Sequence, residues 1–309
     1  MTLIKQTACS LMALGLTAGA ALAQDDCATV TFSDVGWTDI TATTAATTLV
    51  LEALGYETEI RVLSVPVTYT SLADGDLDVF LGNWMPSMEG DIAPYREAGT
   101  VDTVRANLEG TKFTLATNAA GAALGIADFA DVATHADALD GRIYGIEPGN
   151  DGNRIILDLI SGDALGMGAL DLVESSEQGM LAQVARATDR DEPVVFLGWE
   201  PHPMNAAFEM TYLTGGEEWF GAEGQVYTNT RAGYVEACPN VGQFLQNLEF
   251  SLAMENEIMG AILNDGEEPR DAASAWMAAN PDMVMGWLDG VTTIEGGDAA
   301  AAVSAALGL

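Results

Sequence analysis

Three tryptophans follow predicted β-strands, and each lies in a short turn that contains a glycine. Trp37 lies in SDVGWTD, Trp84 in LGNWMPS and Trp199 in LGWEP. The electron-rich face of an aromatic ring attracts a cation, and several rings together exclude water and surround the charge. A quaternary ammonium group has no N–H to donate, so aromatic rings are its natural partners. These tryptophans, with Phe113 as a fourth wall, predict a site for a methylated cation.

Two polar residues accompany the rings. Asp39 follows Trp37 by two residues, and Asn150 lies in EPGNDGN, between a predicted strand and a predicted helix. Each can form a hydrogen bond with a hydroxyl or carboxyl group at the far end of a ligand. Each also has a structural alternative, which is a helix N-cap for Asp39 and turn formation for Asn150. For each tryptophan taken singly, the alternative is a place in the hydrophobic core.

Catalytic and cofactor motifs are missing from the sequence. It contains no Walker A motif, no G-x-G-x-x-G turn after a strand, and no CxxC, HExxH or EF-hand loop. Neither of the two histidines is accompanied by a G-x-S-x-G motif. We therefore expect no catalytic residue, no cofactor and no metal site. The alternative from a different class is a secreted enzyme that uses Glu147, Glu200 or His202 as an acid or base.

The composition excludes several classes of protein. The chain has 309 residues, with 46 Asp and Glu against 11 Lys and Arg, and a formal net charge of -35. A nucleic-acid binder needs a basic face to displace counterions from phosphates, and an anionic membrane surface repels a chain this acidic. Because 49% of the residues are hydrophobic, the chain is not a disordered acidic tail. The composition therefore favours a folded protein that takes a small molecule as its partner.

The elements that must position these residues alternate between strand and helix, in two successive βαβ sets. This alternation predicts an α/β fold with an open sheet, in which ligands bind beyond the carboxyl ends of the strands. The length favours two lobes with the ligand cleft between them. We expect lobe I to comprise 24–111 and 218–309, and lobe II to comprise 112–217. Strands near 112–117 and 213–230 are expected to cross between the lobes and act as a hinge.

Residues 1–23 have the pattern of a cleaved secretory signal. Lys5 precedes an apolar run that ends before Ala-Leu-Ala at 21–23, as in the n-region, h-region and cleavage site of such a signal. No later stretch approaches the ~20 apolar residues that a membrane-spanning helix needs. Outside the cytoplasm Cys27 and Cys238 are expected to form one disulfide, with two free thiols as the alternative.

Five segments resemble the substrate-binding proteins of ABC importers for glycine betaine, choline and related compounds, and among these the periplasmic choline-binding proteins. They are SDVGWTDITATTA (33–45), DVFLGNWMPSM (78–88), GTKFTLA (110–116), GIEPGNDGNR (145–154) and FLGWEPHPMN (196–205). The resemblance spans the whole mature chain. It implies a two-lobed periplasmic binding protein of type II-like fold, located in the periplasm. It further implies a monomer that hands a methylated onium compound to an inner-membrane ABC permease.

The resemblance also implies roles for single residues. The tryptophans that match the family's aromatic cage are Trp37, Trp84 and Trp199. Asp39 and Asn150 match positions that contact the choline hydroxyl, and Phe113 stands where the choline binders carry a tyrosine. An acidic Asp39 favours a ligand with a hydroxyl over one with a carboxylate, so choline is the favoured ligand. Dimethylsulfoniopropionate, glycine betaine and trimethylamine N-oxide are alternatives, as is a sensor subunit that presents such a ligand to a membrane receptor.

Overall fold

A computed structural model describes residues 27–309, so the predicted signal at 1–23 lies outside the described residues. Within the described range the strands are β1 (Thr29–Asp34), β2 (Glu57–Val62), β3 (Val79–Met85), β4 (Val101–Asn118), β5 (Arg142–Tyr144), β6 (Asp171–Val173), β7 (Val195–Glu200), β8 (Met210–Tyr212) and β9 (Gly224–Arg231). Their order is β2-β1-β3-β9-β4-β7-β5-β6, and β8 pairs with β4. Strands β1, β2 and β3 form one parallel set, and β5, β6 and β7 form another.

Helices connect these strands and cover the end of the chain. They are α1 (Thr38–Ala53), α2 (Val65–Asp74), α3 (Glu89–Ala98), α4 (Ala119–Ala123), α5 (Phe129–Thr134), α6 (Asp151–Ser161), α7 (Glu177–Asp189), α8 (Met204–Ala207), α9 (Glu217–Phe220), α10 (Tyr234–Ala237), α11 (Pro239–Asn247), α12 (Leu252–Leu263), α13 (Pro269–Ala279), α14 (Pro281–Trp287) and α15 (Ala299–Leu307). The predicted α/β class is confirmed. None of the helices in the described part of the chain is long and apolar enough to cross a membrane.

Strand β4 belongs to both halves of the sheet and changes its partner midway. Its first part pairs with β9 as far as Thr111, and from Lys112 onward it pairs with β7. The second predicted crossing, 213–230, is only partly a strand, because α9 precedes β9. The predicted pattern of two lobes joined by crossing strands therefore takes the form of two half-sheets. One contains β2, β1, β3 and β9, the other contains β7, β5 and β6, and both include part of β4.

The strand directions bring several carboxyl ends together. Strand β9 is antiparallel to both β3 and β4, so β3 runs in the same direction as β4, whereas β7 runs against β4. As a result β3 ends level with Glu109 and β7 ends level with Lys112, on either side of the middle of β4. Ligands of open α/β sheets bind at such strand ends, and here the two half-sheets contribute ends to one crevice.

Helix α1 is buried although it is rich in threonine. The hydroxyls of Thr43, Thr47 and Thr48 donate to the carbonyls of the residues four positions earlier, at 3.0, 2.7 and 2.9 Å. This back-bonding satisfies these three buried hydroxyls, although Thr44 Oγ1 has no partner among the described residues, and α1 packs against α13. A firmly packed α1 holds its first turn at the crevice.

The predicted disulfide is confirmed. Cys27 and Cys238 are bonded, with their Cα atoms 5.6 Å apart and 211 positions apart in sequence. The bond ties the residues before β1 to the beginning of α11.

Candidate ligand-binding site

All six of the predicted ligand-binding residues line one cavity between the half-sheets. They are Trp37, Asp39, Trp84, Phe113, Asn150 and Trp199. Ile146 and Asp151, for which the sequence analysis predicted no role, complete the lining. The cavity has a volume of about 270 Å³ including the solvent at its mouth. Part of that volume is open solvent, so the space that the side chains enclose is small.

The rings lie close to one another and nearly out of contact with solvent. The ring centroid of Phe113 is 6.0 Å from that of Trp84 and 6.4 Å from that of Trp199. Trp37, Trp84 and Trp199 are each about 95% buried, with exposures of 5%, 5% and 4%. In such a dry setting an aromatic face attracts a cation more strongly than it does in water.

Two details of the predicted ring positions are wrong. Trp84 and Trp199 were expected after their strands, but β3 and β7 each continue for one residue beyond the tryptophan. Phe113 was expected at the start of a crossing strand and lies well inside β4, opposite Trp199 in the register. The end of β3 pairs with β9 and the end of β7 pairs with β4, and this pairing extends both strands past the point where their apolar runs stop.

Asp39 lies in the first turn of α1, facing the cavity. The N-cap position belongs to Trp37, so the N-cap alternative for Asp39 is wrong. Its Oδ2 accepts a hydrogen bond from Trp84 Nε1 at 3.0 Å, whereas its Oδ1 has no partner among the described residues. The residue is 2% exposed. A buried acceptor without a donor is unfavourable, so Oδ1 is an unoccupied hydrogen-bonding position in the cavity wall.

Buried acids surround Asp39. Burial, followed by the negative charge of Glu177, raises the pKa of the Asp39 carboxyl to about 7. Burial and the charge of Asp39 also raise the pKa of Glu255, which lies on α12 and is 3% exposed. In the described part of the chain, no group of three or more His, Cys, Asp or Glu side chains is arranged to hold a metal ion. A cation in the cavity would therefore stabilise the ionised form of Asp39.

Glu147 orients the first tryptophan. Trp37 Nε1 donates to Glu147 Oε1 at 2.7 Å, across the cleft. Burial raises the pKa of Glu147 to about 7. Glu147 was predicted only as an acid or base in the enzyme alternative, and its carboxyl instead holds the Trp37 indole at a fixed angle in the cavity wall.

Glu177 links the two half-sheets and was not predicted. At the start of α7 its carboxylate accepts from the backbone N–H of Thr38 at 2.8 Å and from the Thr38 hydroxyl at 2.6 Å. Both residues are buried, with exposures of 1% and 4%. The negative charge also lies at the N-terminus of α1, where a helix favours it. No local signal could have identified this contact, because the residues are 139 positions apart.

His202 supports the same contact. Its Nδ1 accepts from the backbone N–H of Met204 at 2.9 Å, which leaves the ring proton on Nε2. Nε2 lies 3.2 Å from Glu177 Oε1. Both ring nitrogens are thus occupied, and His202 holds Glu177 in place.

A third link across the cleft joins α6 to α3. Arg154 Nη2 donates to Asp91 Oδ2 at 2.7 Å and to the Ser87 carbonyl at 3.0 Å. Together with the Glu177 and Glu147 contacts, it shows that the structure has a closed cleft.

Asn150 is the N-cap of α6, a local structural role that differs from the turn formation considered for it. Its Oδ1 accepts from the Asn153 N–H at 3.0 Å, and its Nδ2 donates to Asp151 Oδ1 at 3.1 Å. An amide nitrogen carries two hydrogens, so Nδ2 keeps one donor for a ligand in the cavity that Asn150 lines.

Comparisons with known proteins point to one family. Residues 28–279 match the protein family described as the substrate binding domain of the ABC-type glycine betaine transport system. A solved ABC-transporter choline binding protein in complex with choline is 65% identical, with a TM-score of 0.91, and the match covers 92% of this chain and 99% of that one. An ABC-transporter choline binding protein in an unliganded semi-closed conformation is 66% identical, with a TM-score of 0.85 and coverage of 92% and 100%.

A more distant relative is the glycine betaine/carnitine transport binding protein GbuC of Listeria monocytogenes. It is 33% identical over 125 residues, which are 40% of this chain and 41% of that protein.

Proposed function

This chain belongs to the family of substrate-binding domains of ABC-type glycine betaine transport systems, and we propose that the ligand it binds is choline. The observation that carries the proposal is the combination of four aromatic rings and the unpartnered Oδ1 of Asp39 in a single buried cavity. The rings suit a methylated cation, and the oxygen suits a hydroxyl donor. Choline carries both groups on one short chain.

The trimethylammonium head of choline would lie among the rings of Trp37, Trp84, Phe113 and Trp199. Each ring contributes ~0.5–2 kcal/mol to holding a desolvated cation. The head offers no N–H, so it leaves no donor unsatisfied among the rings. The residues that hold the rings at their angles, Glu147 among them, act indirectly by preorganising this cage.

The hydroxyl of choline would donate to Asp39 Oδ1. A hydrogen bond to an ionised carboxylate in a buried site contributes ~1.5–3 kcal/mol. The remaining Nδ2 hydrogen of Asn150 can donate to the same hydroxyl oxygen. A ligand with a carboxylate in that position would instead meet the negative charge of Asp39.

Binding would be followed by closure and delivery, with no covalent step. We propose that lobe I (24–111 and 218–309) and lobe II (112–217) close on the ligand about β4 and β9. The partner change of β4 between Thr111 and Lys112 supports this boundary. The closed protein, a periplasmic monomer, would then present choline to an inner-membrane ABC permease.

Calorimetry with four ligands tests the proposal. The protein should bind choline at sub-millimolar concentration and more tightly than glycine betaine, trimethylamine N-oxide or dimethylsulfoniopropionate. Tighter binding of another member of this panel would reassign the ligand, and binding of none would reject the proposal. NMR spectra of choline after incubation with the protein should be unchanged, whereas new signals would favour the enzyme alternative.

A further inference from the structure

Asp151 lines the cavity, and one of its carboxylate oxygens accepts no hydrogen bond of normal geometry in the described structure, although the nearby Ser87 hydroxyl lowers its pKa. Asp151 is the first residue of α6 and is 1% exposed. Its Oδ1 accepts from Asn150 Nδ2 at 3.1 Å, and its Oδ2 has no partner among the described residues. Asp39 and Asp151 come from different half-sheets, so the cavity has an unpartnered carboxylate oxygen on each side.

We infer that Asp151 is a specificity-determining residue, whose negative charge makes the site reject onium compounds that carry a carboxylate and retain those that carry a neutral tail. The inference rests on the proposed function and deepens it. Asp39 alone can be satisfied by one hydroxyl, whereas two carboxylates facing one small cavity leave no position where a ligand carboxylate avoids a like charge. Like charges placed together in a desolvated site are strongly unfavourable.

The groups around Asp151 compensate its negative charge only in part, because the Ser87 hydroxyl and the Arg154 charge lower its pKa while burial and Asp91 raise it. Arg154, one turn along α6, is the nearby cation, but its guanidinium is paired with Asp91 at 2.7 Å. Asp91 itself repels Asp151, and Glu147 and Tyr69 also lie within range of its charge. Burial raises the pKa of Asp151 to about 6. At about pH 8 the carboxyl is therefore ionised. A cation bound in the cavity would offset its negative charge.

The substitution Asp151→Asn tests the inference. Asparagine keeps the size of the side chain and an acceptor for Asn150, and it places an amide donor where the free oxygen stood. Calorimetry at about pH 8 should compare choline, glycine betaine and tetramethylammonium, which has no tail. The matched control is Asp158→Asn, which removes the same charge from an exposed position on the same helix.

We expect glycine betaine to bind Asp151→Asn about tenfold or more tightly than it binds the wild type. Asp151→Asn should bind choline and tetramethylammonium more weakly than the wild type, by the same factor for both. The reason is that the substitution removes only a negative charge near the cationic head that the two ligands share. The ratio of the choline and glycine betaine dissociation constants thus moves by more than tenfold, and Asp158→Asn leaves it unchanged. A purely structural role would weaken all ligands alike.

An unchanged choline to glycine betaine ratio in Asp151→Asn overturns the inference. If the wild type binds glycine betaine but not choline, the proposed ligand fails, and the inference fails with it because the site then accepts a carboxylate. If the wild type binds choline and the ratio does not move, the proposed function stands and only the role of Asp151 is lost.

Discussion

Replacement of Trp84 by alanine tests the cage most directly. The change removes one of four rings around the cation, which costs ~0.5–2 kcal/mol of binding free energy. It also removes the indole N–H that donates to Asp39 Oδ2 at 3.0 Å. Without that donor the carboxyl is held less firmly in its ionised form, so the attraction for the ligand falls further. A total of about 2 kcal/mol corresponds to a loss of choline affinity of ~30-fold.

The assay is calorimetric titration with choline, beside a thermal melt of each ligand-free variant. Trp84 is 5% exposed, and removal of a buried tryptophan side chain costs ~3–5 kcal/mol of folding stability. The milder variant Trp84→Phe should therefore be measured beside Trp84→Ala, because phenylalanine keeps an aromatic ring but lacks the indole N–H donor. The affinity of Trp84→Phe for choline should lie between that of the wild type and that of Trp84→Ala. Trp276→Ala is the matched control, since Trp276 donates to Glu257 on the protein surface.

The reasoning would be refuted if Trp84→Ala, with a cooperative melt, bound choline within about threefold of the wild type. Should that variant fail to fold, an affinity of Trp84→Phe equal to that of the wild type would refute the role of the indole N–H. A loss in Trp276→Ala equal to that in Trp84→Ala would show that the effect does not arise in the cavity.

Three further predictions follow from the site. Because the pKa of Asp39 is raised to about 7 and a cation favours its ionised form, choline affinity should fall by up to tenfold for each pH unit below about 7. Calorimetry of Asp39→Asn should show a weaker pH dependence, which comes from Asp151 and Glu147, and a flat wild-type profile or an unchanged dependence in Asp39→Asn would contradict the role of Asp39. Gly152→Ala puts a Cβ 2.5 Å from the cage phenylalanine and should weaken choline binding about tenfold, unlike Gly286→Ala, where nothing lies within 4 Å. Thr38→Val removes the hydroxyl bond to Glu177 across the cleft, so choline should dissociate several-fold faster in stopped-flow measurements, and an unchanged rate would show that this bond does not hold the cleft closed.

The aromatic site was predictable because its signals are local. Each tryptophan stands beside a glycine-containing turn at the end of an apolar run, and alternating strands and helices indicate which strand ends share an edge. Phe113 was predicted as a fourth ring from its place in a crossing strand. Even so, the sequence placed two rings after their strands, because the extra pairing that lengthens β3 and β7 is made with residues distant in the chain.

Asp39 and Asn150 show the limit of that approach. Both were predicted as site residues, yet for both a local structural role was an equal alternative. Asn150 has both features, since it caps α6 and also lines the cavity. The position of Trp37 at the N-cap left the Asp39 carboxyl free for the cavity, which depends on the exact residue where α1 begins. Such boundaries are set by packing rather than by the types of the residues.

The sequence alone determined the chemistry available to this protein: a large acidic excess, few cations, no cofactor motif, and indoles and carboxyls at the ends of strands. These follow from residue types and short-range periodicity, which need no partner elsewhere in the chain. The tertiary structure alone decided which carboxylate oxygens stay unpartnered, as at Asp39 and Asp151, and which are used, as at Glu177. Burial and contacts between residues more than a hundred positions apart set these states, and neither quantity can be obtained from a local pattern.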